Sequence, residues 1–385
     1  MPGDVWPRRF WTDLLLASRL ALAPSRVALA FGALLLIGLL AHVPDLWFRG
    51  SGPVDTPARM LSDCGSKGAG ALVDAVLALR LDDALAGVVF LVYETPRLLL
   101  TKFPWTTALF LPILAWPWTI AGGAIARSAA ERFALGRQPK ATRSLAFALS
   151  RPISLLLALL TPMIAAAGAA LPIAGLGYLF FRVPGVNIAG GIFFGVVLVL
   201  ALFLVVALVG FALAHFLLVP AVACDGVDAL DAVQRAYAYV FARPFRAMGY
   251  VLVVAGQGVA LLVVLALVKS ATVQVAGHLA TTWLPGDVAY IYRDAAIASE
   301  LHDTGATPFG TTGAASIVAL WGGIPSLLLA AVMTSFYFCA STLLYLTLRH
   351  DCDGQDPRDL WQPGLVPGVS LRATGPAPED DEEED

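Results

Sequence analysis

Charged residues are scarce in this chain, and long stretches have none at all. Asp, Glu, Lys and Arg make up 14% of the 385 residues, while 58% are hydrophobic. Soluble proteins are about 25% charged. The run from Gly190 to Pro220 contains none of the four charged types. Because a hydrocarbon core about 30 Å thick needs about 20 apolar residues per helical crossing, the sequence predicts an all-α, polytopic transmembrane helical bundle.

Patterns typical of catalysis and metal binding are also missing. The four cysteines are scattered without a C-x-x-C motif, and the five histidines never cluster. No serine sits in a nucleophile elbow, and apart from Asp45 near the end of the first one no carboxylate lies within a predicted crossing, which argues against a proton- or sodium-coupled transporter. No basic stripe with interleaved aromatics suggests nucleic acid. We therefore predict that the chain is not an enzyme and has no cofactor, metal or nucleic-acid partner.

The apolar segments predict six crossings and divide the chain into three parts. Residues 1–26 form an N-terminal amphipathic helix, and residues 349–385 form a tail whose acidic end, 379–385, is predicted to be disordered. Between them lies the six-span membrane domain, 27–348, with outer loops 48–102 and 269–313 and cytoplasmic elbows 127–151 and 220–245. The crossings are placed at about 27–47, 105–126, 153–180, 190–219, 246–268 and 314–347.

The distribution of Lys and Arg predicts the orientation. Sixteen of these residues fall on the side of both termini and the two elbows, and nine on the other side. Because cytoplasmic loops carry the excess of Lys and Arg, both termini are predicted to lie in the cytoplasm and the protein in the cell inner membrane. In the outer loops, residues 71–93 indicate a helix that is either superficial or re-entrant, and residues 286–304 a shorter amphipathic one.

A short pattern occurs twice and predicts an internal hairpin repeat. Arg143-Ser-Leu-Ala-Phe-Ala-Leu-Ser-Arg151-Pro152 aligns with Arg235-Ala-Tyr-Ala-Tyr-Val-Phe-Ala-Arg243-Pro244, at an offset of 92 residues. In both copies an interfacial elbow helix ends in Arg-Pro, and a crossing begins at once. Proline is favoured in the first turn of a helix, where its missing N–H needs no partner. Pro24-Ser-Arg26 indicates a degenerate third elbow.

The elbows also predict contacts with lipid. An arginine at a helix start is placed to send its guanidinium to lipid phosphates while its stem covers apolar surface. Membrane anchoring without a specific ligand is the simpler interpretation of the same residues. The candidate lipid or interface residues are Arg143, Arg151, Pro152, Arg235, Arg243 and Pro244.

A resemblance to a known family rests on these motifs. The segment from Asp228 to Arg246, Gly122-Gly-Ala-Ile-Ala-Arg127 and Asp353-Gly354 resemble a group of bacterial six-helix membrane proteins. That group includes the membrane domain of some glycerophosphoryl diester phosphodiesterases and many stand-alone members. The resemblance covers roughly residues 100–360 and implies a fold and a membrane. It implies no activity, because the metal-binding residues of a phosphodiesterase domain are absent.

Two further groups of residues are candidates for sites. Asp225, Asp228 and Asp231 invite a metal interpretation, but helix capping by Asp225 and an Asp231–Arg235 pair explain them more simply. Prolines within the crossings are the other group, because broken helices line paths or cavities in some membrane proteins. The possible path or kink residues are Pro112, Pro117, Pro162, Pro172 and Pro325.

Two classes of function remain open on this sequence. The first is a non-catalytic scaffold or accessory subunit that organises membrane lipids or a protein partner, with a homo-oligomer as one form of it. The second is a permease-type transporter of a lipid-like or neutral solute, with a separate ATPase acting on a cytoplasmic coupling helix. A copurifying ATPase would favour the second class.

Overall fold

Six long helices form the body of the molecule. The computed structural model describes residues 13–44, 94–182, 187–283 and 311–361, with scattered residues between 60 and 90. Within these residues all regular structure is helical, and six helices are long and apolar enough to cross a membrane. The prediction of an all-α polytopic bundle is therefore confirmed.

The helices are numbered in chain order over the described residues. Their bounds are α1 Leu16–Ala21, α2 Pro24–Ala41, α3 Thr95–Lys102, α4 Pro104–Leu135, α5 Ala141–Ser150, α6 Pro152–Arg182, α7 Asn187–Asp225, α8 Ala229–Ala242, α9 Pro244–Ala280 and α10 Thr311–Asp353. The long helices α2, α4, α6 and α9 each begin with a proline, the residue best suited to the first turn. The short helices α1, α5 and α8 lead directly into α2, α6 and α9.

Glycines end three of the long helices in the same way. Gly136, Gly226 and Gly354 follow α4, α7 and α10, with φ of 67°, 63° and 68°. This left-handed conformation stops a helix and costs glycine little, because glycine has no Cβ. The three helix ends lie together with the short helices α5 and α8, and we call this part of the bundle the elbow end.

Several helices extend beyond the predicted crossings. The crossings predicted to end at 126, 219 and 347 lie in helices that end at Leu135, Asp225 and Asp353. In α4 the added turns contain Arg127 and Glu131, which form an ion pair on the same helix. Likewise α9 passes Lys269 and ends at Ala280.

Helix α2 is shorter than the predicted first crossing, and the short helices occupy only part of the predicted elbow segments. Helix α2 ends at Ala41 rather than 47, because Val43 precedes Pro44 and is disfavoured in helical conformation. The elbows reduce to α5 and α8, plus the last turns of the helices before them. The predictions for 286–304 and for the acidic end of the tail lie outside the described residues, as does much of 71–93.

Helix α10 lies in the middle of the bundle. It packs against α1, α2, α4, α7 and α9. In its most apolar 18-residue stretch 67% of the residues are buried, whereas in the other five crossings the buried share of that stretch is at most 33%. A Cβ on Gly122 of α4 would lie 2.3 Å from the ring of Phe338, and one on Gly258 of α9 would lie 2.9 Å from the ring of Phe336. Glycine on the outer helices thus makes room for the aromatic rings of α10.

Candidate functional site

A buried carboxylate joins three elements at the elbow end. Asp225, the last residue of α7, accepts hydrogen bonds from Arg349 Nη1 at 2.5 Å, from Arg235 Nη1 at 2.8 Å and from the Tyr345 hydroxyl. The side chain of Arg349 is 1% exposed and that of Asp225 8%. We call these four residues the Asp225 cluster. It connects the ends of α7 and α10 with the elbow helix α8.

A second carboxylate, at the end of α10, also accepts a hydrogen bond from a tyrosine on another helix. Asp353, the last residue of α10, accepts a hydrogen bond from the hydroxyl of Tyr239 on α8. The rings of Tyr239 and Tyr345 lie 5.9 Å apart between the two carboxylates. Burial, and then the bond to Asp353, raise the pKa of Tyr239 well above its usual value, so its hydroxyl remains a donor at neutral pH.

The sequence carries a signal for this pairing that its analysis missed. The tripeptide Cys-Asp-Gly occurs at 224–226 and again at 352–354. In both places the aspartate is the last residue of a long helix and the glycine adopts positive φ. Both aspartates accept a hydrogen bond from a tyrosine on another helix. The tripeptide therefore marks a helix end whose carboxylate accepts a hydrogen bond from a neighbouring helix.

The last described residues form a strap across the elbow end. After Gly354 the chain turns back, and the backbone N–H of Trp361 donates to the carbonyl of Cys224 at 2.8 Å. The guanidinium of Arg151 lies 4.5 Å from the centre of the Trp361 ring and donates to the carbonyl of Gly226. We call residues 354–361 the C-terminal strap. It fastens α10 to the end of α7 and to the start of α6.

Two further arginines are held inside the elbow end. Arg127 Nε lies 2.8 Å from Glu131, and Arg127 Nη1 donates to the carbonyl of Ala223 at 3.2 Å. Arg26, at the start of α2, donates from Nε to the Ser128 hydroxyl and from Nη2 to the Ser128 carbonyl, both at 3.1 Å. These cations serve to connect α2, α4 and α7 to one another.

The structure separates the predicted lipid-contacting arginines into two kinds. Arg151 donates a hydrogen bond to the Gly226 carbonyl, and Arg235 donates one to Asp225. Arg143 and Arg243 are exposed. The two prolines of the pattern, Pro152 and Pro244, are the first residues of α6 and α9. Half of the predicted arginines thus hold the protein together.

The predicted roles of the nearby aspartates are corrected. Asp225 does not cap α8, because it lies at the end of α7. The cap is Asp228, whose side chain accepts from the N–H of Asp231 at 3.0 Å. Arg235 forms its ion pair with Asp225, at the end of α7, and not with Asp231 on its own helix. Within the described residues, no group of three His, Cys, Asp or Glu is placed to hold a metal.

An apolar groove of about 570 Å³ lies between α2 and α4 and reaches α5. Every residue that lines it is apolar. The lining includes Gly32 and Leu36 of α2, Trp116 and Pro117 of α4, and Leu145 and Leu149 of α5. Because α2 and α4 are crossings, the groove faces hydrocarbon. It offers room and dispersion contacts to an apolar chain, and no group that reacts.

The predicted proline path is only partly reflected in the structure. Pro117 lines the groove, whereas Pro112 lies in the same helix, α4, and does not line it. The other three do not line it either: Pro162 and Pro172 are in α6, and Pro325 is in α10. In the described part of the chain these prolines do not converge on a single channel.

Two strongly polar side chains within the long helices differ in their contacts. Gln257 Nε2 donates to the Leu15 carbonyl at 2.6 Å and to the Ser18 hydroxyl at 2.9 Å, so it connects α9 to the N-terminal segment. The His215 ring nitrogen lies 3.3 Å from the Phe211 carbonyl of its own helix, and the ring packs against Phe216 and Tyr337.

Comparisons with protein-family models, with curated proteins and with solved structures give no match for this chain. Its function therefore has to be argued from the helix bundle, the groove and the elbow end alone.

Proposed function

We propose that this chain is a non-catalytic, multi-pass protein of the cell inner membrane that organises lipid around its bundle. The observation that carries the proposal is the wholly apolar groove between α2 and α4, which opens toward hydrocarbon. A groove of this kind holds an acyl chain through dispersion and apolar contact. It supplies none of the polar groups that catalysis or ion coupling requires.

The use of the polar residues at the elbow end supports the same proposal. Asp225, Glu131 and Asp353 each contact a partner from the protein itself. A buried carboxylate that is already paired with arginine is poorly available as a base or as a cation ligand. The polar cluster is therefore best understood as the fastening that keeps the crossings in place.

We further propose that the chain is built from repeated hairpins. Arg151 and Arg243, the matching residues of the two copies, end α5 and α8 with φ of −134° and −140° and ψ of 44° and 63°. The matching glycines, Gly136 and Gly226, precede the two elbows with nearly equal φ. Helices α1 and α2, with Pro24 at the junction, supply a third elbow, and α10 completes its pair.

The proposed orientation, with both termini in the cytoplasm, is tested by labelling. The parent should carry Cys352→Ser, because the other cysteines, Cys64, Cys224 and Cys339, are buried. A thiol introduced by Pro139→Cys should react with a membrane-impermeant maleimide only from the cytoplasmic side, and one introduced by Tyr290→Cys only from the outside. The reverse pattern contradicts the orientation, whichever function the protein has.

A lipid-flipping assay tests for a permease that moves lipid without an ATPase, whereas an ATP-driven permease is tested by copurification of its ATPase. Purified protein is placed in vesicles of phosphatidylcholine and phosphatidylglycerol in equal amounts, with a trace of fluorescent phosphatidylcholine. A scaffold leaves the dithionite-resistant inner-leaflet fluorescence unchanged, as in protein-free vesicles. Fluorescence that falls toward zero means that the bundle moves lipid, and the permease function then replaces the scaffold.

The relationship to the six-helix family stays part of this proposal. It is supported by the elbow motif and by Gly354, a helix-ending glycine in one of the segments that carry the resemblance. A copurifying ATPase would support the permease, since such a transporter needs an energy source that this chain does not contain. A copurifying membrane protein without nucleotide-binding motifs would support the accessory role.

A further inference from the structure

Exposed cations lie beside the apolar groove. Arg137, Lys140 and Arg143 are exposed and have no acidic partner among the residues that the structure describes. Lys140 is the residue before α5, and Arg143 lies in the first turn of that helix. Leu145 and Leu149, on the following turns, line the groove. The helix α5 thus carries positive charge at its start and an apolar contact surface after it.

The dimensions of the groove match one half of a bilayer. Its lining extends along α2 from Ala28 to Leu40. At 1.5 Å per residue this is about 18 Å. A hydrocarbon core of about 30 Å gives each leaflet about 15 Å. The groove is therefore about as long as one leaflet is thick, and an acyl chain of about 15 Å that starts at the level of α5 fits within it.

We propose that the groove and the start of α5 form a binding site for an anionic glycerophospholipid. One acyl chain lies between α2 and α4, and the phosphate faces Lys140 and Arg143. Charge selects the lipid, because the cations have no protein acid to neutralise them and an anionic headgroup supplies the missing partner. The proposal deepens the proposed function and rests on it, since it names the lipid that the bundle organises.

The glycine at the centre of the groove allows a sharp test of the acyl-chain half. A Cβ built on Gly32 meets no atom within 4 Å, so a larger side chain enters the groove without displacing the protein. Gly32→Phe should therefore abolish the peak for one bound phosphatidylglycerol in native mass spectra of the full-length protein. Gly38→Phe is the matched control, because Gly38 is on the same helix, is equally open and does not line the groove. It should retain the lipid.

The charge half is tested on the same spectra. The double variant Lys140→Gln/Arg143→Gln is expected to lower the preference for phosphatidylglycerol over phosphatidylcholine by about fivefold per cation. Arg358→Gln removes an exposed cation from the C-terminal strap and should leave the preference unchanged. The protein is purified from vesicles that contain both lipids in equal amounts, so that the ratio of the bound species reports selectivity.

Each outcome decides a defined part of the proposal. Equal lipid retention by Gly32→Phe and the parent overturns the site. Retention that depends on Gly32 but shows no preference for phosphatidylglycerol overturns the anionic assignment. Loss of lipid in Gly38→Phe as well would show that any bulky residue on α2 disturbs the bundle, and the groove would then not be the site. These results are independent of the flipping assay, because a permease and a scaffold are equally able to hold the lipid there.

Discussion

Replacing Asp225 with alanine is expected to lower the free energy of unfolding by about 3–5 kcal/mol. The change leaves Arg349 buried without its carboxylate, and breaking a buried ion pair from one side costs about this much. The Arg349 side chain is 1% exposed, and its Nε atom already has no hydrogen-bond partner. Unfolding in mixed detergent micelles titrated with sodium dodecyl sulfate measures the change.

Two companion variants show whether the loss comes from the cluster. Asp231→Ala removes an exposed carboxylate six residues further along the chain, with no side-chain partner, and is expected to cost less than about 1 kcal/mol. Asp225→Ala combined with Arg349→Met should recover much of the loss, since removing both partners of a buried pair is far milder than removing one. Equal losses from Asp225→Ala and Asp231→Ala would show that the cluster contributes little to stability.

Replacing Gly226 with alanine is the second change with a large expected effect. The new Cβ destabilises the protein in two ways. It is unfavourable at the positive φ of 63°, and it would lie 2.5 Å from the Trp361 ring. The left-handed backbone costs about 1–2 kcal/mol for a residue with a Cβ. The steric contact adds to this by pushing the C-terminal strap away from the end of α7. The variant should therefore unfold more easily and release the strap, seen as a shift of the Trp361 fluorescence to longer wavelength.

Gly136 allows the backbone effect to be measured without the steric contact. It has φ of 67°, but a Cβ there meets no atom within 4 Å, so Gly136→Ala changes only the backbone conformational energy. The difference in the free energy of unfolding between the two variants then reports the contact with Trp361. Adding Trp361→Ala to Gly226→Ala should reduce the loss to that of Gly136→Ala plus the cost of the missing indole. If Gly136→Ala and Gly226→Ala unfold alike, the strap makes no energetic contribution.

The crossings were predictable from the sequence because each needs only a long apolar run. The start of α9 was placed within two residues by Arg243-Pro244, since proline fixes the first turn of a helix. The helices α4 and α7 extend further than the predicted crossings. The contact of Arg127 with the Ala223 carbonyl could not be predicted, because that carbonyl belongs to another helix.

The candidate site was harder to predict, since it depends on which helices become neighbours. The pattern around Arg151 and Arg243 indicated headgroup contact for both, yet only Arg243 is exposed. Arg151 is occupied because Gly226 and Trp361 arrive from remote parts of the chain. The groove had one local hint, Pro117 within α4, but its other wall is formed by α2, about 80 residues earlier in the sequence.

The central position of α10 has a consequence for biosynthesis. Among the six described crossings this helix leaves the ribosome last, and it supplies Tyr345 and Arg349 to an aspartate 120 and 124 residues earlier in the chain. Until α10 is inserted, Asp225 lacks its most buried partner. The contacts at the elbow end are thus completed only when α10 takes its central position. A chain that stalls before α10 presents the quality-control proteases with polar side chains that the finished molecule conceals.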